Sequence, residues 1–214
     1  MSQAQTHEFT VTGSELLVDA PIIALRRDQV VMPGGEPAAR EIVEHFGATA
    51  VVASDGENIA LVRQYRHSVR DRLWELPAGI LDVKDEPALV GAKRELVEEA
   101  GLEAERWDLL LDLVTSPGFC EEAVRVFLAR ELRQVPQPEA AEEEADMVLE
   151  WVPLERARHM VLTGQVVNSI AAAGILSAWA VLREGAAPRS TDEPFTYRPR
   201  SLAARRSGPD MKRP

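Results

Sequence analysis

Residues 79–102 read GILDVKDEPALVGAKRELVEEAGL, and the spacing inside this stretch decides the fold. Pro87 suits the opening of a helix, where a missing N–H forfeits no intrahelical bond. Gly101 suits its close, where a left-handed residue caps the last turn. Between them Leu89, Val90, Ala92 and Leu96 supply an apolar face to pack inward. Glu95 and Glu98 stand three apart and Glu95 and Glu99 four apart, so the three carboxylates crowd one face. Like charges at that spacing weaken an isolated helix. Two arrangements relieve them. One is a solvated acidic face with Lys93 and Arg94 as partners. The other is a hard cation such as Mg²⁺, which takes oxygen ligands and keeps waters and substrate phosphates around it.

The whole chain sets the bounds. Its 214 residues are enough for one generous domain with an appendage. A hydrophobic fraction of 45% and a charged fraction of 28% describe an ordinary globular protein. The net charge of −11 lacks the basic footprint of a nucleic-acid binder, so no nucleic-acid partner is expected. An anionic substrate must then approach through local arginines or bound metal. The lone Cys120 excludes an intrachain disulfide framework and fits a reducing cytosol. MSQAQTHEFT has neither the basic nor the apolar part of a signal peptide. The apolar run Ile170–Leu182 is too short for a membrane span and reads as a core helix. A cytoplasmic protein with no membrane partner is expected.

Residues 1–45 form a strand-rich segment, with β-branched runs at Phe9–Val11, Glu15–Val18 and Ile22–Met32. Pro33-Gly34-Gly35 is a turn before a strand over Ala39–Phe46. The segment is too small for a core of its own, so it packs on the main domain or on a second subunit. Residues 46–185 alternate strand and helix. Ala50–Ala53 and Ile59–Tyr65 flank the turn Asp55-Gly56-Glu57-Asn58, and strands follow at Trp74–Leu76, Trp107–Leu111, Ala123–Ala129 and Met147–Val152. Helices are expected at Leu154–Leu162 and Asn168–Arg183, the second N-capped by Asn168. Residues 186–214 mix Pro, Ser and Arg and read as a mobile basic tail, with contact to RNA or a partner as the lesser alternative.

Glu86, seven residues, Arg94-Glu95-Leu96, one residue, Glu98-Glu99, one residue, Gly101-Leu102 resembles the box of the Nudix hydrolases. The pattern departs from the family in one place: Gly79 and Glu86 enclose six residues where five are usual. The insertion falls in the loop before the helix and leaves the carboxylate spacing untouched. The resemblance implies an α/β fold, the Nudix α/β/α sandwich with a mixed sheet, preceded by a small strand-rich N-terminal dimerisation segment. It extends through QYRH, LWELPAG, SPGF, VRVFLA and EEADM to the ADP-ribose pyrophosphatase group. Pro117, fifteen residues beyond Leu102, is a marker associated with that group, although Pro-Gly is also an ordinary turn. The implied reaction is metal-dependent hydrolysis of ADP-ribose to AMP and ribose 5-phosphate in a homodimer that exchanges its N-terminal segments. Other nucleoside diphosphate sugars, dinucleotides or a sensor without turnover are the alternatives.

The resemblance also implies roles for particular residues. Glu95, Glu99 and the backbone carbonyl of Ala78 are the expected metal ligands for two or three Mg²⁺ ions, with Mn²⁺ as a substitute. Glu98 is a further ligand, a catalytic group or a supporting one. Arg94 and Glu86 form an ion pair joining loop to helix. The run Glu142-Glu143-Glu144 reads as a solvated loop by composition. By family position it supplies a catalytic carboxylate, Glu144 first and Glu143 second, to take the proton of a metal-acidified water. Arg66 either holds a phosphate or makes a surface ion pair. Ile80 lines the diphosphate site or packs in the core. Glu122 resembles a ribose contact, and Arg40 reaches the partner's site if the segments exchange. Ile22-Ile23 stand where relatives offer an aromatic to stack on the base. His45 and His67 can touch substrate, Trp151 and Trp179 read as core, and Cys120 is a bystander thiol without a base.

Overall fold

The computed structural model describes residues 7–138 and 146–212. Three strands form an N-terminal antiparallel sheet: β1 (Val11–Asp19), β2 (Ile23–Val31) and β3 (Pro37–His45). The runs expected at Phe9–Val11 and Glu15–Val18 are not two strands: Val11 and Glu15–Val18 lie in the single strand β1, and Phe9 precedes it. Gly13 and Ser14 stay in the ladder opposite Gln29 and Asp28, and Ser14 Oγ donates to Asp28 at 2.7 Å. Irregularities near Gly13 and between Leu16 and Val18 let the strand continue.

Next come β4 (Ala48–Ala53), β5 (Asn58–Arg66), β6 (Asp71–Glu75), β7 (Ala78–Ile80) and helix α1 (Ala88–Ala100). They are followed by β8 (Leu102–Val114), β9 (Ala123–Gln134), β10 (Val148–Pro153), α2 (Leu154–Leu162) and α3 (Ser169–Arg183). The central sheet runs β7-β4-β9-β8 and is mixed, because β4 and β9 are parallel while their other neighbours are antiparallel. A second sheet has the order β10-β5-β6.

Alternation along the central strands builds two cores. Ala50 and Val52 of β4, with Val124, Val126 and Leu128 of β9, pack beneath α2 and α3, where Ala157, Ala171 and Ile175 are buried. Val51 and Ala53, with Phe127 and Ala129, face α1 through Ala92, Leu96 and Ala100. One layer of sheet between helices makes the α/β/α sandwich. Gly174 lets α3 approach, since a Cβ there would lie 2.6 Å from Leu76 Cδ1 and 3.2 Å from Val126 Cγ1. Gly101 caps α1 at φ 61° as expected, and Pro87 is the N-cap, one position earlier than the first helical turn. Asn168 caps α3 by accepting the N–H of Ala171 at 2.9 Å.

Two expectations need correction. Trp151 is 41% exposed, because Val152 takes the inward position on β10 and turns its neighbour outward. Trp179 does pack against the core. The expected mobile tail is also corrected: residues 186–212 fold back on the body. Arg189 exchanges backbone hydrogen bonds with Leu109, a short helix α4 (Ser201–Ala204) follows, and Leu202 and Met211 are buried. Arg206 forks onto Asp19 at 2.6 and 3.0 Å, and Arg205 pairs with Glu44. Two arginines that read as part of a basic tail, Arg205 and Arg206, are thus spent on internal acids. Among the described residues, no helix is long and apolar enough to cross a membrane.

Candidate active site

The box helix and the short strand β7 meet side on, and the meeting is polar. Glu95 and Glu99 are each only 8% exposed. Glu99 accepts the backbone N–H of Ala78 at 2.8 Å. Glu95 lies directly against Gly79, where any Cβ would overlap its carboxylate carbon and oxygens. Glu95 can therefore approach the strand this closely only because residue 79 has no side chain.

Arg94 is the hub of the acid cluster. Its Nη1 donates to Glu95 at 2.6 Å and to Glu98 at 2.9 Å, while Nε and Nη2 reach the two oxygens of Glu86 at 3.4 and 3.3 Å. Burial opposes the guanidinium charge. The bond to Glu86 and the charges of Glu95, Glu86 and Glu98 overcome it and raise the Arg94 pKa. For Glu95 the balance goes the other way. Burial, helped by the charges of Glu98 and Asp82 and opposed by Arg94, lifts its pKa to about 7.

Two buried carboxylates packed against the β7 backbone supply hard oxygen donors, a chemistry that fits a divalent cation. Among the described residues, no group of three or more acidic, histidine or cysteine side chains encloses a metal by itself. A cation such as Mg²⁺ takes a few carboxylates and completes its shell with water and substrate oxygens.

Next to β7 is a cavity of about 500 Å³ whose lining includes Arg66, Ala78, Gly79, Ile80, Glu122 and His45. The structure thus brings together Arg66, Ile80, Glu122 and the Ala78 backbone, residues drawn from three separate stretches of sequence. Arg66 is held by a bidentate pair with buried Glu75, at 3.0 and 2.7 Å. Glu122 accepts from Thr115 Oγ1 at 2.5 Å and lies 3.6 Å from His45 Nδ1. His45 Nδ1 accepts the Gly47 N–H at 3.1 Å, and burial lowers the pKa of the ring against the charges of Glu122 and Glu121. Ile22, in the place expected for an aromatic, also lines this cavity.

Other expected residues lie apart. Arg40 lines a different cavity of about 730 Å³ with Arg26, Phe119, Tyr197, Arg198 and Arg200, and its guanidinium turns to the Ala39 carbonyl and Met32 Sδ. Glu98 faces Arg94 on the outer side of the helix. Glu142, Glu143 and Glu144 are outside the described residues, while the adjoining Asp146 pairs with Arg72. His67 lies near Tyr65 rather than in the cavity, and burial pushes the Cys120 thiol up. Sequence reasoning missed Glu75 and Asp82. A charge inside the apolar run Leu73-Trp74-Glu75-Leu76 was the available signal for Glu75, and Asp82 gave none.

Three comparisons with known proteins bear on this arrangement. Residues 43–169 match the family model described as the NUDIX domain. The chain is 54% identical to the ADP-ribose pyrophosphatase of Mycobacterium tuberculosis over 202 residues, 94% of this chain and 98% of that protein. It is 36% identical to the ADP-ribose pyrophosphatase of Bacillus subtilis, covering 76% of this chain and 88% of that one. A crystal structure of an ADP compounds hydrolase superposes with a TM-score of 0.70 at 17% identity, covering 84% of this chain and 97% of that chain, a likeness of fold.

Proposed function

The chain belongs to the Nudix family, and from that membership we propose that it hydrolyses the pyrophosphate of ADP-ribose, releasing AMP and ribose 5-phosphate. The observation that carries the proposal is the similarity to an ADP-ribose pyrophosphatase, 54% identical over 94% of this chain. The abutment of Glu95 and Glu99 on the β7 backbone beside the cavity supports it.

In this reading Glu95, Glu99 and the Ala78 carbonyl hold two or three divalent ions, Mg²⁺ by preference and Mn²⁺ as a substitute. When bound, such ions neutralise the diphosphate and acidify the attacking water. The protein's own groups do the rest. Glu144 accepts the proton of that water, with Glu143 its alternative one position away. Glu98 supports the ligands through Arg94. Arg66, paired with Glu75 at the cavity wall, contributes positive charge toward a phosphate, and Ile80 forms an apolar wall beside it. Glu122 takes the terminal ribose. A homodimer that exchanges N-terminal sheets brings Arg40 to the partner's cavity, which accounts for its distance from the cavity of its own chain. A cytoplasmic setting agrees with the single unpaired thiol.

The test is a substrate panel with Mg²⁺ at neutral pH, reading AMP and phosphosugar. ADP-ribose leads ADP-glucose, NADH, diadenosine polyphosphates and nucleoside triphosphates in kcat/KM. A different leader transfers the chemistry to another nucleotide, and no turnover with metal bound replaces the enzyme by a sensor.

A further inference from the structure

The C-terminal residues 198–212 return beneath the loop that joins β7 to α1. Arg198 Nη1 donates to the backbone carbonyl of Glu86 at 2.8 Å. The Lys84 N–H donates to the Pro209 carbonyl at 3.0 Å and the Met211 N–H to the Asp82 carbonyl at 2.9 Å, around a bridge between Val83 and Asp210. Lys212 Nζ lies 2.7 Å from Asp82 Oδ2. Leu202 and Met211 join Ala24 and Phe46 in an apolar cluster on which Ile80 packs. The strap thus holds the loop by backbone pairing, apolar packing and two cations.

That loop is flanked by the acid cluster. Just before it, in β7, Gly79 abuts Glu95. At its far end Glu86 holds Arg94, which touches Glu95 and Glu98. Between them Asp82 is 5% exposed and its charge reaches Glu95. A buried carboxylate without a partner would repel Glu95 and favour a loop swung away from the helix. Lys212 cancels that charge, and its own pKa is raised chiefly by the bond to Asp82.

We propose that Lys212 is a positioning residue: its ion pair with Asp82, at the end of the C-terminal strap, holds the β7–α1 loop against the box helix in the geometry in which Glu95 and Glu99 receive a divalent cation. The proposal rests on the metal assignment above and is independent of which nucleotide is cleaved. Electrostatics alone has the opposite sign, because Lys212 is a cation beside a cation site and its removal would tighten metal binding. Positioning makes its removal weaken binding. The direction of the change therefore separates the two.

The experiment compares full-length wild type, Lys212→Met, which keeps the aliphatic stem, and Lys212→Arg, which keeps the charge. Mn²⁺ affinity is read by electron paramagnetic resonance without substrate. Hydrogen exchange of the amides in 82–86 is followed in the metal-free protein, and turnover is titrated with Mg²⁺. In Lys212→Met, Mn²⁺ affinity falls on the order of 10-fold. The Lys84 and Glu86 amides exchange faster, half-saturating Mg²⁺ rises while kcat at saturation holds, and Lys212→Arg restores all three. Unchanged or tighter Mn²⁺ binding in Lys212→Met overturns the proposal. So does a lowered melting temperature with exchange in 82–86 unaltered, or an arginine variant as impaired as the methionine one. If ADP-ribose proves not to be the substrate, the Mn²⁺ and exchange measurements still decide this question.

Discussion

The Glu99 carboxylate and the Ala78 backbone are joined by one hydrogen bond of 2.8 Å, from the strand N–H to the helix side chain. A helix acid is thereby tied to the strand whose carbonyl is its proposed co-ligand. Glutamine at 99 can still accept that N–H but carries no charge. Glu99→Gln is expected to keep the wild-type melting temperature without metal and to lose about 100-fold in metal-dependent kcat. Retained turnover would remove Glu99 from the metal site.

Gly79→Ala tests the neighbouring contact. The new methyl would occupy the space of the Glu95 carboxylate, so the side chain or the strand must move. Overpacking of this kind lowers stability by about 1–3 kcal/mol. Metal affinity is expected to fall with it, read by calorimetric Mg²⁺ titration. A variant that binds metal normally would show that Glu95 functions from another rotamer.

Arg94→Lys separates charge from geometry. One planar guanidinium serves Glu86, Glu95 and Glu98 together, and a lysine ammonium cannot span the three. Losing charge-assisted bonds at this half-buried position is expected to lower stability by about 2 kcal/mol in urea unfolding, with kcat falling as the ligands drift. Unchanged stability would mean that lysine holds loop and helix equally well.

What the sequence discloses and what it hides divide along physical lines. The box is legible because its residue types recur at helical spacing, so Glu95 and Glu99 can be placed on one face of the helix without coordinates. The core strands are legible because burial imposes alternation, as in Val51 and Val52 facing opposite layers. The returning C-terminus is not. Arg205 and Arg206 read as a solvated basic run because their acids, Glu44 and Asp19, are more than 150 residues away in the chain. Nothing local marks that pairing. Arg66 is intermediate: its position after a strand is visible, while its bidentate partner Glu75 emerges only from the pairing of β5 with β6.

His45 gives the pH prediction. Burial sets its folded pKa below 6.5, so the unfolded chain binds the extra proton more readily. This contribution is intact above pH 6.5 and is lost as pH falls toward the folded pKa. Protonation of Nδ1 also forfeits the bond from Gly47, although Glu122 and Glu121 partly compensate. The ring resonances of His45 should titrate below 6.5. The melting temperature of His45→Asn should fall less steeply than that of wild type as pH is lowered from 6.5. A midpoint above 6.5 would mean that the acid pair outweighs burial.

The proposed exchange of N-terminal sheets can be decided by mixing two defective chains. Arg40 lies outside the cavity of its own chain, and Leu16 and Val18 leave an exposed apolar surface on β1 for a second copy to cover. Glu99→Gln disables a site within its own chain, whereas Arg40→Ala disables the partner's site under exchange. In a heterodimer of the two variants, the Arg40→Ala chain keeps its carboxylates and receives an intact Arg40 from its partner. That one site should recover full kcat/KM for ADP-ribose, giving about half the wild-type activity per dimer when each site works independently. If Arg40 serves its own chain, the same site still lacks its arginine, and the mixture stays as weak as the Arg40→Ala homodimer diluted by inactive subunits.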